Sequence, residues 1–157
     1  MGVITRVFTD GRLMGAGVFS DAVIVDMGSC YAVQFSGMAA VDPATHAMAG
    51  YEPHNGAYLP DALERQVADI FDQLERLMTS VAARIGRDMS LLDLTRALVF
   101  LREDYPKVFG RFNDAYIAEF ARRGVGQYPA RTTVLKVTLP EPNALVEIQF
   151  EAVVEKR

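Results

Sequence analysis

The run Leu145-Val146-Glu147-Ile148-Gln149-Phe150-Glu151-Ala152-Val153-Val154 constrains this chain most. Val146, Ile148, Phe150, Ala152 and Val154 fall on one side of an extended backbone, and Glu147, Gln149, Glu151 and Glu155 mostly on the other. The run predicts a strand with one dry face. A dry face must be covered, and the chain supplies the cover. Leu63, Val67, Ile70, Phe71, Leu74, Leu77, Met78 and Val81 repeat at three- and four-residue steps. They predict a helix with one apolar stripe, starting at Asp61 and ending at Gly86. Asp61 and Glu64 have the spacing of a capping box. Phe109, Phe112, Tyr116 and Phe120 predict a second helix, capped by Asp104 with Pro106 in its first turn and ended by Gly124 and Gly126.

The remaining segments read as strands and turns. Residues 3–8 predict a strand with an Asp10-Gly11 turn after it. Val23-Ile24-Val25 and the run 31–35 predict a hairpin across Met27-Gly28-Ser29. Leu94 to Leu101 is apolar enough to expect cover on both faces. Arg131 to Leu139 predicts another strand, closed by Pro140 and Pro142. Residues 41–60, rich in Pro and Gly, predict one long loop. The order of strands, helix, strand, helix and two strands predicts an α+β fold, one mixed sheet with two helices on one face.

Bulk properties exclude several classes. At 157 residues, with 50% hydrophobic and 23% charged, one ordered domain over 1–157 is expected. The net charge is −4 and the densest basic pair is Arg122-Arg123, too little to track a phosphate backbone, so nucleic acid is not an expected partner. The one cysteine, Cys30, cannot close an internal disulfide, and it predicts a reducing compartment and a buried place in a strand. No apolar run approaches a membrane span, and no basic-then-apolar leader opens the chain. The expectation is a soluble cytoplasmic protein without a membrane partner.

Two positions stand out chemically. Arg131 opens a strand after a Gly-rich turn, where one fixed cation could hold an anionic small molecule. Glu147 offers a carboxylate in the next strand. Spacing alone leaves plainer readings open: an arginine opening a strand is ordinarily solvated or ion-paired, and Glu147 needs only a wet sheet face. His46 and His54 lie eight apart in the long loop, without metal-ligand spacing, and read as solvated. Gly15-Ala16-Gly17 lacks the third glycine and the helix of a phosphate loop.

Ser36-Gly37, Gln66, Val99-Phe100-Leu101, Phe112-Asn113-Asp114-Ala115-Tyr116, Tyr128-Pro129-Ala130-Arg131-Thr132 and Ala144-Leu145-Val146-Glu147-Ile148 together resemble the RidA (YjgF, L-PSP) family of reactive enamine/imine deaminases. The resemblance runs in register from about residue 17 to the end. It implies a chorismate-mutase-like fold and a homotrimer with clefts between subunits. It implies hydrolysis of 2-enamino and 2-imino acids to 2-oxo acids and ammonia, with no metal or organic cofactor. In the family's pattern Arg131 grips the substrate carboxylate and Glu147 positions the attacking water. Asn113 lines the site and Gly37 offers backbone contacts. Phe19 stands where the family has a tyrosine, and Thr133 where it often has a cysteine. The chain is also longer than short family members over 23–36 and 42–61. These departures bear on which substrate fits. A second reading keeps the scaffold as a non-catalytic binder of small carboxylates. A third, endoribonuclease activity, is opposed by the acidic balance.

Overall fold

In the computed structural model, which describes residues 3–9, 19–102 and 107–156, the alternating run forms a central strand. The strands are β1 (Ile4–Val7), β2 (Ala22–Asp26), β3 (Cys30–Phe35), β4 (Tyr51–Glu52), β5 (Ala57–Tyr58), β6 (Leu94–Leu101), β7 (Ala130–Leu135) and β8 (Val146–Glu155). The helices are α1 (Ala62–Ile85) and α2 (Val108–Arg122). Six strands make one sheet in the order β1-β2-β3-β8-β6-β7, while β4 and β5 pair separately. Among the described strands only β6 and β7 run parallel. The connection between them passes through α2, since a parallel return needs a crossover.

Every apolar residue expected on the dry face of β8 is buried: Val146, Ile148, Phe150, Ala152 and Val154. So is the whole predicted stripe of α1. Phe112, Tyr116 and Phe120 of α2 close the same core, and Phe71 packs edge-on against Tyr116, Phe120 and Phe150. Gln66, fully buried in α1, donates to the carbonyls of Ala49 and Asn143 and accepts from the Leu145 amide. A buried amide with all these groups paired fixes where β8 begins.

The basic pair Arg122-Arg123 is spent on helix packing. Arg122 bridges Asp72 and Glu119, and Arg123 bridges Asp72, Glu75 and Glu119, tying the polar side of α1 to the end of α2. His46 and His54 are both exposed.

Several expectations need correction. Asp61 makes no side-chain cap; its carboxylate takes the Arg65 guanidinium at 2.8 Å, and Glu64 pairs with Arg111 instead of reaching back. The charge partners outcompete the capping geometry. Gly86 does end α1, in the left-handed conformation at φ 64°. Helix α2 begins at Val108, after Lys107, and the proposed cap Asp104 and Pro106 lie outside the described residues. Phe109 is 45% exposed rather than part of the buried stripe. The segment 41–60 is not plain loop: Val41 bridges Met48, and β4 and β5 form a small hairpin with the Tyr51 and Tyr58 rings 5.2 Å apart. Strand β7 stops at Leu135, because Lys136 turns to φ 65°. Cys30 sits in β3 but is only half-buried. On β6, Leu98 and Phe100 are half-buried and Thr95 and Arg96 exposed, since both helices lie on the opposite face. The turn Asp10-Gly11 and the glycines at 15 and 17 fall outside the described residues.

Candidate functional site

Residues paired laterally in a sheet project from the same face. Arg131 of β7 pairs with Ala97 of β6, which pairs with Phe150 of β8. Ala97 and Phe150 are on the buried, helix-covered face. Arg131 therefore points toward α2, and its contacts agree. Its guanidinium carbon lies 5.4 Å from the Phe112 ring centre and 5.1 Å from that of Tyr116, and one N–H donates to Asn113 Oδ1 at 2.7 Å. The hydrogen bond joins α2 to β7 across 18 residues of chain. Among the described residues no carboxylate pairs with Arg131, so its charge is held by ring faces and one amide oxygen. Thr133 is two residues further along the same face of β7, beside Val99, and half-buried.

Glu147 pairs with Phe100, on the other face. Met38 and Ile148 exchange backbone hydrogen bonds of 2.9 and 3.0 Å, which lays Gly37 alongside Glu147. The approach is close: a Cβ on Gly37 would overlap Glu147 Oε1 and lie 3.1 Å from its Cδ. Glycine is what lets the carboxylate rest against the backbone there. Among the described residues nothing hydrogen-bonds that carboxylate, and burial alone pushes it above the usual carboxylate range. The Ser36 hydroxyl donates to the Ser20 carbonyl at 2.6 Å and the Ser36 amide to Asp21 O at 3.0 Å, so the segment carrying Phe19 runs beside Ser36-Gly37. Phe19 itself is 43% exposed.

The predicted residues thus form two groups on opposite faces: Arg131, Asn113 and Thr133 on one, Glu147 and Gly37 on the other, with the backbone that follows Phe19 running beside Ser36. Glu147 lies two strands over from Arg131 and three residues along, roughly 14 Å between Cα atoms from strand spacing and rise. One chain does not bring Arg131 and Glu147 together.

Beside Arg131 runs an open groove of about 460 Å³, lined by Asn113, Tyr116, Ile117, Tyr128, Pro129 and Arg131. Tyr116 is 2% exposed, its hydroxyl finds no partner among the described residues, and burial pushes its phenol up. A slightly larger cavity, about 510 Å³, lies between α1 and residues 41–43 and contains none of the predicted site residues. The groove is the better candidate because a fixed, acid-free cation stands at its edge. Ile117 was not singled out in the sequence, and Tyr128 stood there only within the family segment, without a site role. The available signal was Ile117 one helical turn beyond Asn113, a large apolar residue outside the Phe112, Tyr116 and Phe120 stripe of α2.

The family profile described as Endoribonuclease L-PSP matches residues 10–154. The chain belongs to this family, the RidA/YjgF/L-PSP group. Solved structures agree on the fold. Yeast Mmf1 is 23% identical with a TM-score of 0.70, covering 98% of this chain and 99% of that one. RidA from the Antarctic bacterium Psychrobacter is 23% identical with a TM-score of 0.64, over 96% and 98% of the two chains. A Vibrio vulnificus protein, provisionally described as a translation initiation inhibitor, is 26% identical with a TM-score of 0.63, over 95% and 99%. No curated protein matches significantly. The YjgF-like, chorismate-mutase-like α+β fold of the L-PSP family is therefore that of this chain, as the residue pattern implied. Among its described residues no helix is long and apolar enough to cross a membrane, and no three His, Cys, Asp or Glu side chains converge as a metal group.

Proposed function

We propose that the chain is a hydrolytic deaminase of 2-imino and 2-enamino acids, with each site assembled from two copies in a homotrimer. The observation that carries this reading is the separation of the two groups. An acid-free guanidinium at the sheet edge and a desolvated carboxylate on the open face are each half of a site. The open face, with half-buried Leu98 and Phe100, suits burial by further copies.

In this reading Arg131, steadied by Asn113, holds the substrate carboxylate through two parallel hydrogen bonds. Glu147 of the adjoining copy faces the imine carbon. A water between them forms a C–O bond to C2 and gives one proton to Glu147. Glu147 passes that proton to the nitrogen, giving a carbinolamine; the hydroxyl proton then follows the same route as the C–N bond breaks, so nitrogen leaves as ammonia and C2 becomes a carbonyl. A carboxyl whose affinity for protons is raised by burial is a better base for this step than a solvated one. The step consumes one water and yields one 2-oxo acid and one ammonia, so it calls for no redox partner. The lone Cys30 suits a reducing cytoplasm.

Complementation tests both claims. Imines generated in situ by an amino-acid dehydratase or oxidase are followed by the rate of 2-oxo acid release. Arg131→Ala and Glu147→Gln are each expected to lose activity. Refolded together in equal parts, random mixing rebuilds about one site in four. Recovery to that level supports the shared site. Two inactive variants that stay inactive when mixed would refute it. Carboxylate binding abolished by Arg131→Ala, with no turnover by the wild type, would select the non-catalytic binder instead.

A further inference from the structure

We infer that the groove beside Arg131 receives the 2-substituent of the substrate, and that this substituent is large and apolar, aromatic or branched, rather than a methyl group. The inference rests on the proposed role of Arg131 as carboxylate anchor and goes on to name the class of acid anchored.

A 2-imino acid bound by its carboxylate has one remaining arm, the substituent on C2. With the imine carbon turned toward a Glu147 across the sheet edge, that arm runs along the chain holding the anchor. The groove offers about 460 Å³ there, more than a methyl group can use. Its walls are apolar where they need not be. Ile117 is 48% exposed and Tyr128 49% exposed, and both line the groove together with Arg131. Tyr128 is fixed, not waving: its ring lies 5.2 Å from Phe120 in an edge arrangement and 6.5 Å from Tyr116. Pro129, with φ set by its ring, holds Tyr128 to the strand that begins at Ala130. A rigid aromatic wall, an aliphatic wall and a cation at one end complement an amphiphilic ligand with a carboxylate head and an apolar body. The Arg131 guanidinium carbon stands over the Phe112 and Tyr116 rings and one N–H is held by Asn113, so little of the fork needs to be ordered when a ligand arrives.

Ile117 is the residue to change. It lies on α2 outside the buried set of that helix, so its truncation spares the core. Imines made in situ from alanine, leucine and phenylalanine by an L-amino-acid oxidase with catalase form the substrate series. Wild-type protein is expected to favour the leucine- and phenylalanine-derived imines over 2-iminopropionate by roughly 10- to 100-fold in kcat/KM. Ile117→Ala is expected to erase most of that preference, with a loss in kcat/KM for the leucine- and phenylalanine-derived imines at least several-fold greater than for 2-iminopropionate. Equal kcat/KM across the series, or a loss in Ile117→Ala that is the same for small and large imines, would overturn the inference while leaving the deaminase reading intact. A shift of oligomeric mass in Ile117→Ala without a change in selectivity would also overturn it, by assigning the groove to a second copy. If no imine is hydrolysed, calorimetry with phenylpyruvate and pyruvate decides. Tighter phenylpyruvate binding that needs both Arg131 and Ile117 sustains the groove without the chemistry, and equal or absent binding ends it.

Discussion

Gly37→Ala isolates the role of Glu147 without touching the carboxylate. The added methyl would overlap Oε1 and sit 3.1 Å from Cδ and 3.4 Å from Cγ. Ordinary carbon contacts are about 3.5–4.0 Å, so the carboxyl group must retreat by roughly 0.5–1 Å. Gly37 needs no left-handed backbone, since its φ is not among the positive values. The clash is with the far end of a flexible side chain, which can rotate away, so the stability cost should stay below about 1 kcal/mol. The cost to catalysis should be larger. Misplacing a reacting group by about 1 Å costs on the order of 10²-fold. For the shorter displacement the expected loss in kcat is between roughly 10- and 100-fold, or about 1.4–2.7 kcal/mol of barrier. KM should change little, because the Arg131 anchor is on the opposite face of the sheet. The assay is steady-state 2-oxo acid release from an in situ imine, with urea unfolding of the same sample as control. Wild-type kcat in Gly37→Ala would refute the reasoning, as would a loss of activity matched by loss of folded protein.

Further predictions follow from individual contacts. Burial holds the Glu147 carboxyl above its ordinary value of 4.5, so below that pH both folded and unfolded states are protonated and no penalty exists. As pH rises through the unfolded value toward the raised folded one, the folded state binds more protons and loses stability. Glu147→Gln should therefore gain in urea midpoint over the wild type between pH 4 and pH 7.5; a wild type that gains on the variant would mean a neighbouring cation has pulled the carboxyl down. Gly50→Ala should cost more than about 2 kcal/mol in urea unfolding, because φ is 71° and the new Cβ would sit 2.6 Å from the Ala62 Cα; a loss under about 0.5 kcal/mol would show that the turn entering α1 yields easily. Tyr116→Phe should leave stability unchanged or raise it by up to about 1 kcal/mol, since the buried hydroxyl has no partner to lose among the described residues; a clear loss would reveal a hydrogen bond made by that hydroxyl.

The sequence by itself determined the elements and the dry side of most of them. Period-two alternation along 145–154 and the stripe along 63–81 are local properties of the chain, and both faces came out as read. The family was legible too, because the Pro-Ala-Arg-Thr and Leu-Val-Glu-Ile segments keep their residues in order. Local capping was less so: the Asp61–Glu64 spacing was overruled by Arg65 and by Arg111, the latter arriving from α2. Only the tertiary structure decided the grouping of the site. Which face Arg131 occupies depends on how β7 registers against β6, a choice made between strands and invisible in the spacing of either. The contact of Gly37 with Glu147 likewise depends on Met38 pairing with Ile148, far away along the chain. Parity alone put Glu147 on the wet face of its strand. Arg131 and Glu147 looked like partners because adjacent strands in sequence suggest adjacency in space, but β6 is inserted between β7 and β8 and the two side chains leave opposite faces of the sheet.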